Sequence, residues 1–163
     1  KREQQILDVP KAISVVGSDF IFINNIVELP QLAEFVPGFF INEQGANRPS
    51  YIIRGLTSEE VSPSAQPRVS TYFNNVPINR SSGASVALHD MDRVEVLKGP
   101  QNSLFGRGAQ IGVVHFISKS PKNATEGFLS AGFGSYNQKE LRGAVNVPVI
   151  KNKLFVRASG VYD

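Results

Sequence analysis

The sequence contains no cysteine, which excludes disulfide bonds and thiolate metal sites. It has no apolar run close to the roughly 18 residues that a membrane-spanning helix needs. Basic residues number 17 and acidic residues 14, but Lys and Arg are scattered, so no cluster predicts a nucleic-acid partner. No secretory signal peptide is recognisable, and the chain begins at Lys1 rather than Met. We therefore expect a mature or trimmed fragment.

The composition is that of a folded chain with many turns. Apolar residues make up 41% and charged residues 19% of the 163 residues, which argues against wholesale disorder. The sequence also contains 14 Gly and 10 Pro. Because these residues punctuate the chain, short strands are favoured over long helices.

The first three-quarters of the chain predicts small helices mixed with short strands. We expect a strand over residues 12–16, a short helix from Asp19 capped by Ser18, and a helix over residues 29–36 with Pro30 in its first turn. Short β-like runs then follow at residues 39–42, 51–53, 69–73, 76–78, 94–97 and 113–117. Long polar loops separate them, the longest over residues 57–68. This pattern predicts an α+β domain.

The pattern changes after Pro121, where residues 126–163 predict three longer strands. Leu141, Val145 and Val147 alternate with Arg142 and Asn146. Strands of about 10 residues that alternate in this way are typical of a transmembrane β-barrel, although a half-buried antiparallel meander gives the same pattern. Three strands cannot close a barrel, so we expect most of the barrel beyond this sequence. The predicted domains are residues 1–122 and 123–163.

The most informative stretch is residues 92–121. It predicts a strand, a break at Gly99-Pro100, a turn of helix at residues 102–105, a glycine-rich loop and a second strand. The spacing Gly106-x-Gly108-x-x-x-Gly112 is one residue longer than the dinucleotide fingerprint and precedes a strand instead of opening a helix. No G-x-x-x-x-G-K-[ST] phosphate loop is present. The stretch therefore argues against nucleotide binding.

Instead, residues 92–121 closely resemble the end of the plug domain in TonB-dependent receptors. Further motifs of that domain follow in the same order along the chain. They are Val9-Pro10 with Ile13-Ser14-Val15-Val16, Leu32-Ala33-Glu34-Phe35-Val36-Pro37-Gly38, Ile52-Ile53-Arg54-Gly55-Leu56 and Tyr72-Phe73-Asn74-Asn75-Val76-Pro77-Ile78. One departure is Asn75, which stands where the family usually has glycine. The resemblance covers nearly the whole chain.

The resemblance implies a fold and a function. The fold is an α+β plug domain, a short mixed β-sheet with small helices and long loops, followed by the first antiparallel strands of a transmembrane barrel of about 22 strands. The function is uptake of a scarce ligand, best matched by a ferric siderophore, across the outer membrane of a Gram-negative bacterium. TonB and its inner-membrane complex would supply the energy. The resemblance implies no enzymatic activity, cofactor or bound metal.

Two other classes of function stay open from the sequence. One is a non-transport ligand-binding or adhesion module with a plug-like domain, and a more remote one is a soluble α+β enzyme. Cobalamin and oligosaccharides are alternative cargoes. A segment that contacts TonB is not recognisable in residues 1–8, so we expect it before Lys1.

The resemblance also assigns roles to residues. Arg54 and Lys98 match basic positions that pair with barrel glutamates, although both also suit ordinary solvated strand ends. A plug–barrel hinge loop is expected from the glycines at Gly99, Gly106, Gly108 and Gly112. Ligand contacts are expected in two outward-facing loops, at Gln44, Asn47, Arg48, Asn79, Arg80, Ser81 and Ser82. Among these, Arg48 and Arg80 favour an anionic or ferric-chelate ligand.

The remaining titratable residues predict no catalysis. His89 and His115 are the only histidines, and neither belongs to a recognisable catalytic set or metal-binding spacing. Because His115 lies inside a predicted strand, we expect it to have a structural role.

Overall fold

The computed structural model describes residues 12–43, 49–58, 67–78, 88–106, 108–135 and 139–162. The chain divides into two compact units, unit 1 (Lys1–Ser118) and unit 2 (Lys119–Asp163). The sequence places this division slightly later, after residue 122. Over the described ranges, no helix is long and apolar enough to cross a membrane.

Unit 1 is an α+β fold, as the sequence predicts. Its elements are β1 (Ile13–Gly17), α1 (Ser18–Ile23), α2 (Leu29–Ala33), β2 (Phe39–Glu43), β3 (Pro49–Ile53), β4 (Leu56–Thr57), β5 (Val69–Phe73), β6 (Val76–Ile78), β7 (Met91–Lys98), α3 (Asn102–Phe105) and β8 (Gly112–Ser118). A five-stranded sheet has the order β1-β7-β8-β5-β6, and a three-stranded sheet has the order β2-β3-β4. Strands β5 and β8 pair in parallel, which makes the larger sheet mixed.

The core of unit 1 forms where one face of the larger sheet packs on the helices and the smaller sheet. Apolar residues alternate along the sheet strands, so their side chains share one face. The buried set includes Val16, Val94, Val96, Val114 and Phe116 from the larger sheet and Leu32, Phe39 and Ile53 from the elements packed on it. A second, smaller cluster joins Leu97, Ala109 and Val113.

The two N-terminal helices begin differently. Helix α2 starts with a capping box, in which Gln31 Oε1 accepts hydrogen bonds from the backbone N–H groups of Val27 and Glu28 at 2.8 and 3.2 Å. Pro30 lies in its first turn, as predicted. The predicted Ser18 cap of α1 is wrong, because Gly17 occupies the capping position and no side chain caps the helix.

Unit 2 is a three-stranded antiparallel sheet of β9 (Glu126–Phe133), β10 (Lys139–Ile150) and β11 (Leu154–Tyr162), in the order β11-β10-β9. The predicted alternation is confirmed. Leu141, Val145 and Val147 are exposed on one face, whereas Ala144 and Asn146 are buried on the other. One face of this sheet is therefore apolar and uncovered by the described residues.

Asn146 ties the segment before β9 to β10. Its side chain is completely buried. Oδ1 accepts the backbone N–H of Lys122 at 3.1 Å, and Nδ2 donates to the carbonyl of Lys122 at 2.8 Å. Nδ2 also donates to the carbonyl of Ala124. A buried amide satisfied in this way fixes the path by which the chain enters unit 2.

We expect Asn146→Ala to free this segment. Each lost hydrogen bond contributes about 1 kcal/mol, so amide exchange at residues 122–124 should accelerate by at least about tenfold. Hydrogen exchange on the full-length protein, read by mass spectrometry, measures the change. Ser159→Ala, an exposed position on β11, is the matched control. Equal exchange in the two variants would contradict the role of Asn146.

Candidate functional site

The basic residues Arg54 and Lys98 meet at one end of unit 1. Arg54 follows β3 in a left-handed turn with φ of 53°, and its backbone N–H donates to the Gly38 carbonyl at 2.8 Å. Lys98 ends β7, and its Nζ donates to the Pro37 carbonyl at 2.6 Å. The turn at Pro37-Gly38 therefore brings the ends of β3 and β7 together.

The two cations lie close enough to repel each other. A Cβ added to Gly99 would stand 3.6 Å from Arg54 Nη1, so the guanidinium group lies beside the peptide that follows Lys98. Burial, and then the charge of Arg54, lower the pKa of Lys98. Within the part of the chain that the structure describes, neither residue makes an ion pair. We refer to Arg54 and Lys98 as the basic pair.

The four predicted hinge glycines shape the connection between β7 and β8. Gly99 and Gly106 have φ of 109° and 78°, conformations that favour glycine. The connection folds back on itself, because the Gly99 N–H donates to the Ile111 carbonyl at 2.8 Å. Gly108 and Gly112 allow close approach instead: a Cβ added to Gly112 would lie 2.5 Å from the Leu97 carbonyl oxygen. All four lie within unit 1, three of them before β8 and Gly112 as its first residue, whereas the change of unit comes after Ser118.

The expected ligand contacts lie outside the described residues. They are Gln44, Asn47, Arg48, Asn79, Arg80, Ser81 and Ser82. The strands that lead to them are described. Glu43 pairs with Pro49, so residues 44–48 connect the two strands of a hairpin, while Phe39 pairs with Ile53 at the end where the basic pair lies. The Glu43–Pro49 end of this hairpin is thus opposite to the end at which the basic pair lies.

A polar network on β7 and β8 was not predicted from the sequence. Arg93 Nε donates to Glu95 Oε1 at 2.7 Å and Arg93 Nη1 to Asp92 Oδ2 at 2.5 Å. His115 Nδ1 lies 3.5 Å from Glu95 Oε2. The contact with His115, followed by that with Arg93, holds the pKa of Glu95 below its usual value despite burial. Glu95 and His115 are cross-strand partners, and this could be recognised only once the register of β7 against β8 was known.

The lowered pKa of Glu95 gives a pH prediction for unit 1. A carboxyl group with a lower pKa in the folded state stabilises it above the unfolded pKa of about 4.3, and this stabilisation is lost as the pH falls through the folded value. We therefore expect Glu95→Gln to lower stability at pH 7 and to reduce its dependence on pH below about 4.5. Urea unfolding of wild type and variant at pH 7 and pH 3 measures both effects. If wild type and Glu95→Gln lose the same free energy of unfolding between pH 7 and pH 3, this role of Glu95 is contradicted.

Comparison with known proteins identifies the family. Residues 5–113 match the family model for the TonB-dependent receptor plug domain. The chain is 29% identical over 126 residues to the pesticin receptor of Yersinia pestis, covering 77% of this chain and 18% of that protein. It is 28% identical over 144 residues to the vitamin B12 transporter BtuB of Vibrio vulnificus, covering 85% and 22%. The chain thus spans about a fifth of the length of these curated relatives.

Solved structures show the same fold. The ferric yersiniabactin uptake receptor FyuA from Yersinia pestis superposes with a TM-score of 0.83 at 24% identity, covering 93% of this chain and 24% of that one. The ferric-catecholate import receptor Fiu from Escherichia coli K12 has a TM-score of 0.71 at 26% identity, covering 94% and 21%. The matches confirm the predicted plug fold and the outer-membrane location in a Gram-negative bacterium, and the relatives are receptors rather than enzymes. Because the family model matches well over half of its residues, the chain belongs to the TonB-dependent receptor plug domain family.

Proposed function

We propose that this chain is the gating plug and the first barrel strands of an outer-membrane active transporter. The transporter takes up a scarce ligand of the ferric siderophore class, and the TonB complex supplies the energy. The observation that carries the proposal is the plug match over residues 5–113, since its relatives include receptors named for ferric yersiniabactin and ferric catecholate. Another relative is named for vitamin B12, so cobalamin is the rival cargo.

The sheet of unit 2 supports the barrel part of the proposal. Leu129, Val145 and Val156 on its apolar face are 78%, 48% and 48% exposed, an arrangement suited to lipid. Strands β9 and β11 each pair with β10 alone among the described strands. Since open strand edges are not tolerated in lipid, the proposal requires further strands on both sides of this sheet.

The basic pair supports a plug that is held in place by charge. Two neighbouring cations with no carboxylate partner among the described residues raise the free energy of unit 1, and an acidic partner would remove that cost. We therefore propose that Arg54 and Lys98 bind glutamates of the barrel wall. Lys98 supplies charge there without the bidentate geometry of arginine. The glycines at Gly99, Gly106, Gly108 and Gly112 would let the connection between β7 and β8 move when the TonB complex pulls on the plug.

The ligand would meet the plug at residues 44–48 and 79–82. Their polar side chains suit a polar or anionic ligand, and Arg48 and Arg80 would bind carboxylate or chelate oxygens. As the Glu43–Pro49 end of the β2–β3 hairpin is opposite to the basic pair, ligand recognition and anchoring would use opposite ends of this hairpin.

Uptake by a receptor-deletion strain tests this proposal. The strain is complemented with the full-length receptor and offered ferric siderophores, cobalamin and oligosaccharides. We expect accumulation of a ferric siderophore that requires the receptor, and about tenfold weaker binding of that chelate by Arg48→Ala with Arg80→Ala, the loss of one or two charged hydrogen bonds. Lys151→Ala, in the exposed turn before β11, is the control. Receptor-dependent uptake of cobalamin alone would overturn the cargo, and binding without uptake would favour an adhesion module.

A further inference from the structure

The turn between β5 and β6 is attached to the end of β8 at two points. Asn74 and Asn75, with φ of 47° and 69°, form the turn. Asn74 makes the first attachment: its N–H donates to the Phe116 carbonyl at 2.9 Å, and its side chain exchanges hydrogen bonds with Ser118 at 2.8 and 3.0 Å. Asn75 makes the second, since its backbone N–H donates to His115 Nε2 at 3.2 Å.

The second attachment requires a neutral imidazole. A backbone N–H is always a donor, so Nε2 must present a lone pair, and the ring proton must be on Nδ1. Nδ1 lies 3.5 Å from Glu95 Oε2, and this carboxylate favours a proton on Nδ1. His115 is only 5% exposed, which leaves the ring little freedom to choose other partners. Protonation would place two N–H groups against each other at Asn75.

Among the described residues, the charged and titratable groups around His115 come from two strands. On β7, the Glu95 carboxylate favours an imidazolium, while Arg93, which is bonded to Glu95 and Asp92, opposes it. On β5, the ring of Tyr72 stands edge-on to the imidazole with centroids 6.1 Å apart, and its hydroxyl donates to the Phe105 carbonyl. Glu95 is thus the group in direct contact that would stabilise the charged ring.

We propose that His115 makes the β5–β6 turn sensitive to acid. Protonation of Nε2 breaks the hydrogen bond from Asn75 and strengthens the contact between Nδ1–H and Glu95. The turn then keeps its Asn74 attachment and loses its Asn75 attachment. Histidine is suited to such a device, because its side chain changes charge in the range between pH 5 and 8.

Strand β6 would transmit the change because it is weakly held. Among the described strands it lies at the edge of the sheet, and it pairs with β5 through Val76, Pro77 and Ile78. Pro77 has no N–H group to donate to its neighbour. The bond between Asn75 and His115 therefore helps to keep the beginning of β6 on the sheet. Its loss loosens β6 while β5, β7 and β8 stay paired.

Hydrogen exchange of the full-length receptor tests the proposal. Exchange of peptides that cover residues 74–78 is compared at pH 7.5 and pH 5.5 after correction for the intrinsic exchange rate. We expect about fivefold faster corrected exchange at pH 5.5, the effect of losing one hydrogen bond. Peptides from β10 serve as an internal control and should show no corrected change. Equal corrected exchange of residues 74–78 at the two pH values would overturn the proposal.

Two variants make the test specific. His115→Gln offers Asn75 an amide oxygen that does not titrate, so the corrected exchange of residues 74–78 in this variant should be independent of pH. Glu95→Gln removes the charge that stabilises the imidazolium, so the transition should move to lower pH. A His115→Gln protein that still loses protection at pH 5.5 would overturn the proposal. Should that variant fail to fold, a transition that Glu95→Gln leaves unchanged or moves to higher pH would overturn it equally.

Discussion

Gly112→Ala will strongly destabilise unit 1. The added Cβ would lie 2.5 Å from the Leu97 carbonyl oxygen and 2.5 Å from Ile53 Cδ1. Ile53 can change rotamer, but Leu97 belongs to the neighbouring strand β7, so its carbonyl moves only if the sheet moves. Overpacking of this kind costs typically 1–3 kcal/mol, and we expect a loss of about 3 kcal/mol in the free energy of unfolding. Urea unfolding of the plug in the purified protein measures it.

Gly17→Ala is the matched control for this prediction. Gly17 also lies at the end of a strand in the same sheet, but a Cβ added there meets nothing within 4 Å. Its φ of −83° suits any residue, so alanine should cost at most the roughly 1 kcal/mol of a weaker N-cap for α1, well below the effect of Gly112→Ala. If both variants unfold at the same urea concentration, the close approach of β7 to Gly112 is not what requires glycine.

Lys98→Glu will release the plug in the full-length receptor. The substitution replaces a proposed partner of a barrel glutamate with a like charge, and breaking a buried ion pair costs about 3–5 kcal/mol. We expect a leaky outer membrane, seen as increased sensitivity of intact cells to large antibiotics that the outer membrane normally excludes. Arg54→Glu should act in the same direction, and the double variant should be leakier than either single variant.

The sign of the effect distinguishes anchoring from simple repulsion. Within unit 1 alone, the charge of Arg54 disfavours the charged form of Lys98, so neutral Lys98→Met should relieve repulsion there. In the full-length receptor, Lys98→Met should instead loosen the plug, because the acidic partner loses its cation. Lys151→Glu, in an exposed turn of unit 2, is the charge-matched control. If Lys98→Glu and Lys98→Met cells are no more sensitive to antibiotics than Lys151→Glu cells, Lys98 is an ordinary solvated residue.

Most strands of the fold were predictable because alternation of apolar residues reports local structure. Strands β5 and β6 coincide with their predicted bounds, and β10 shows the predicted faces. The sequence predicted secondary structure less well where tertiary contacts determine whether an element forms or where it ends. The two-residue strand β4 exists only through pairing with β3, and the α2 helix ends at Ala33 with looser turns up to Pro37.

The resemblance predicted individual residues of the candidate site, but it did not predict how these residues are arranged in space. Arg54 and Lys98 are far apart in sequence, and only the turn at Pro37-Gly38 shows that they share one end of unit 1. The contact of His115 with Glu95 and Asn75 depends on which strands are neighbours, a property that one sequence does not reveal. The ligand contacts expected at residues 44–48 and 79–82 remain predictions.

The central claim is that this chain gates an energised transporter. The most direct measurement is accumulation of a ⁵⁵Fe-labelled ferric siderophore by cells that carry the full-length receptor, with and without TonB. We predict surface binding in both strains and accumulation inside the cell only where TonB is present. Accumulation that is equal in the two strains, or binding without accumulation in either for every chelate bound, would contradict the claim.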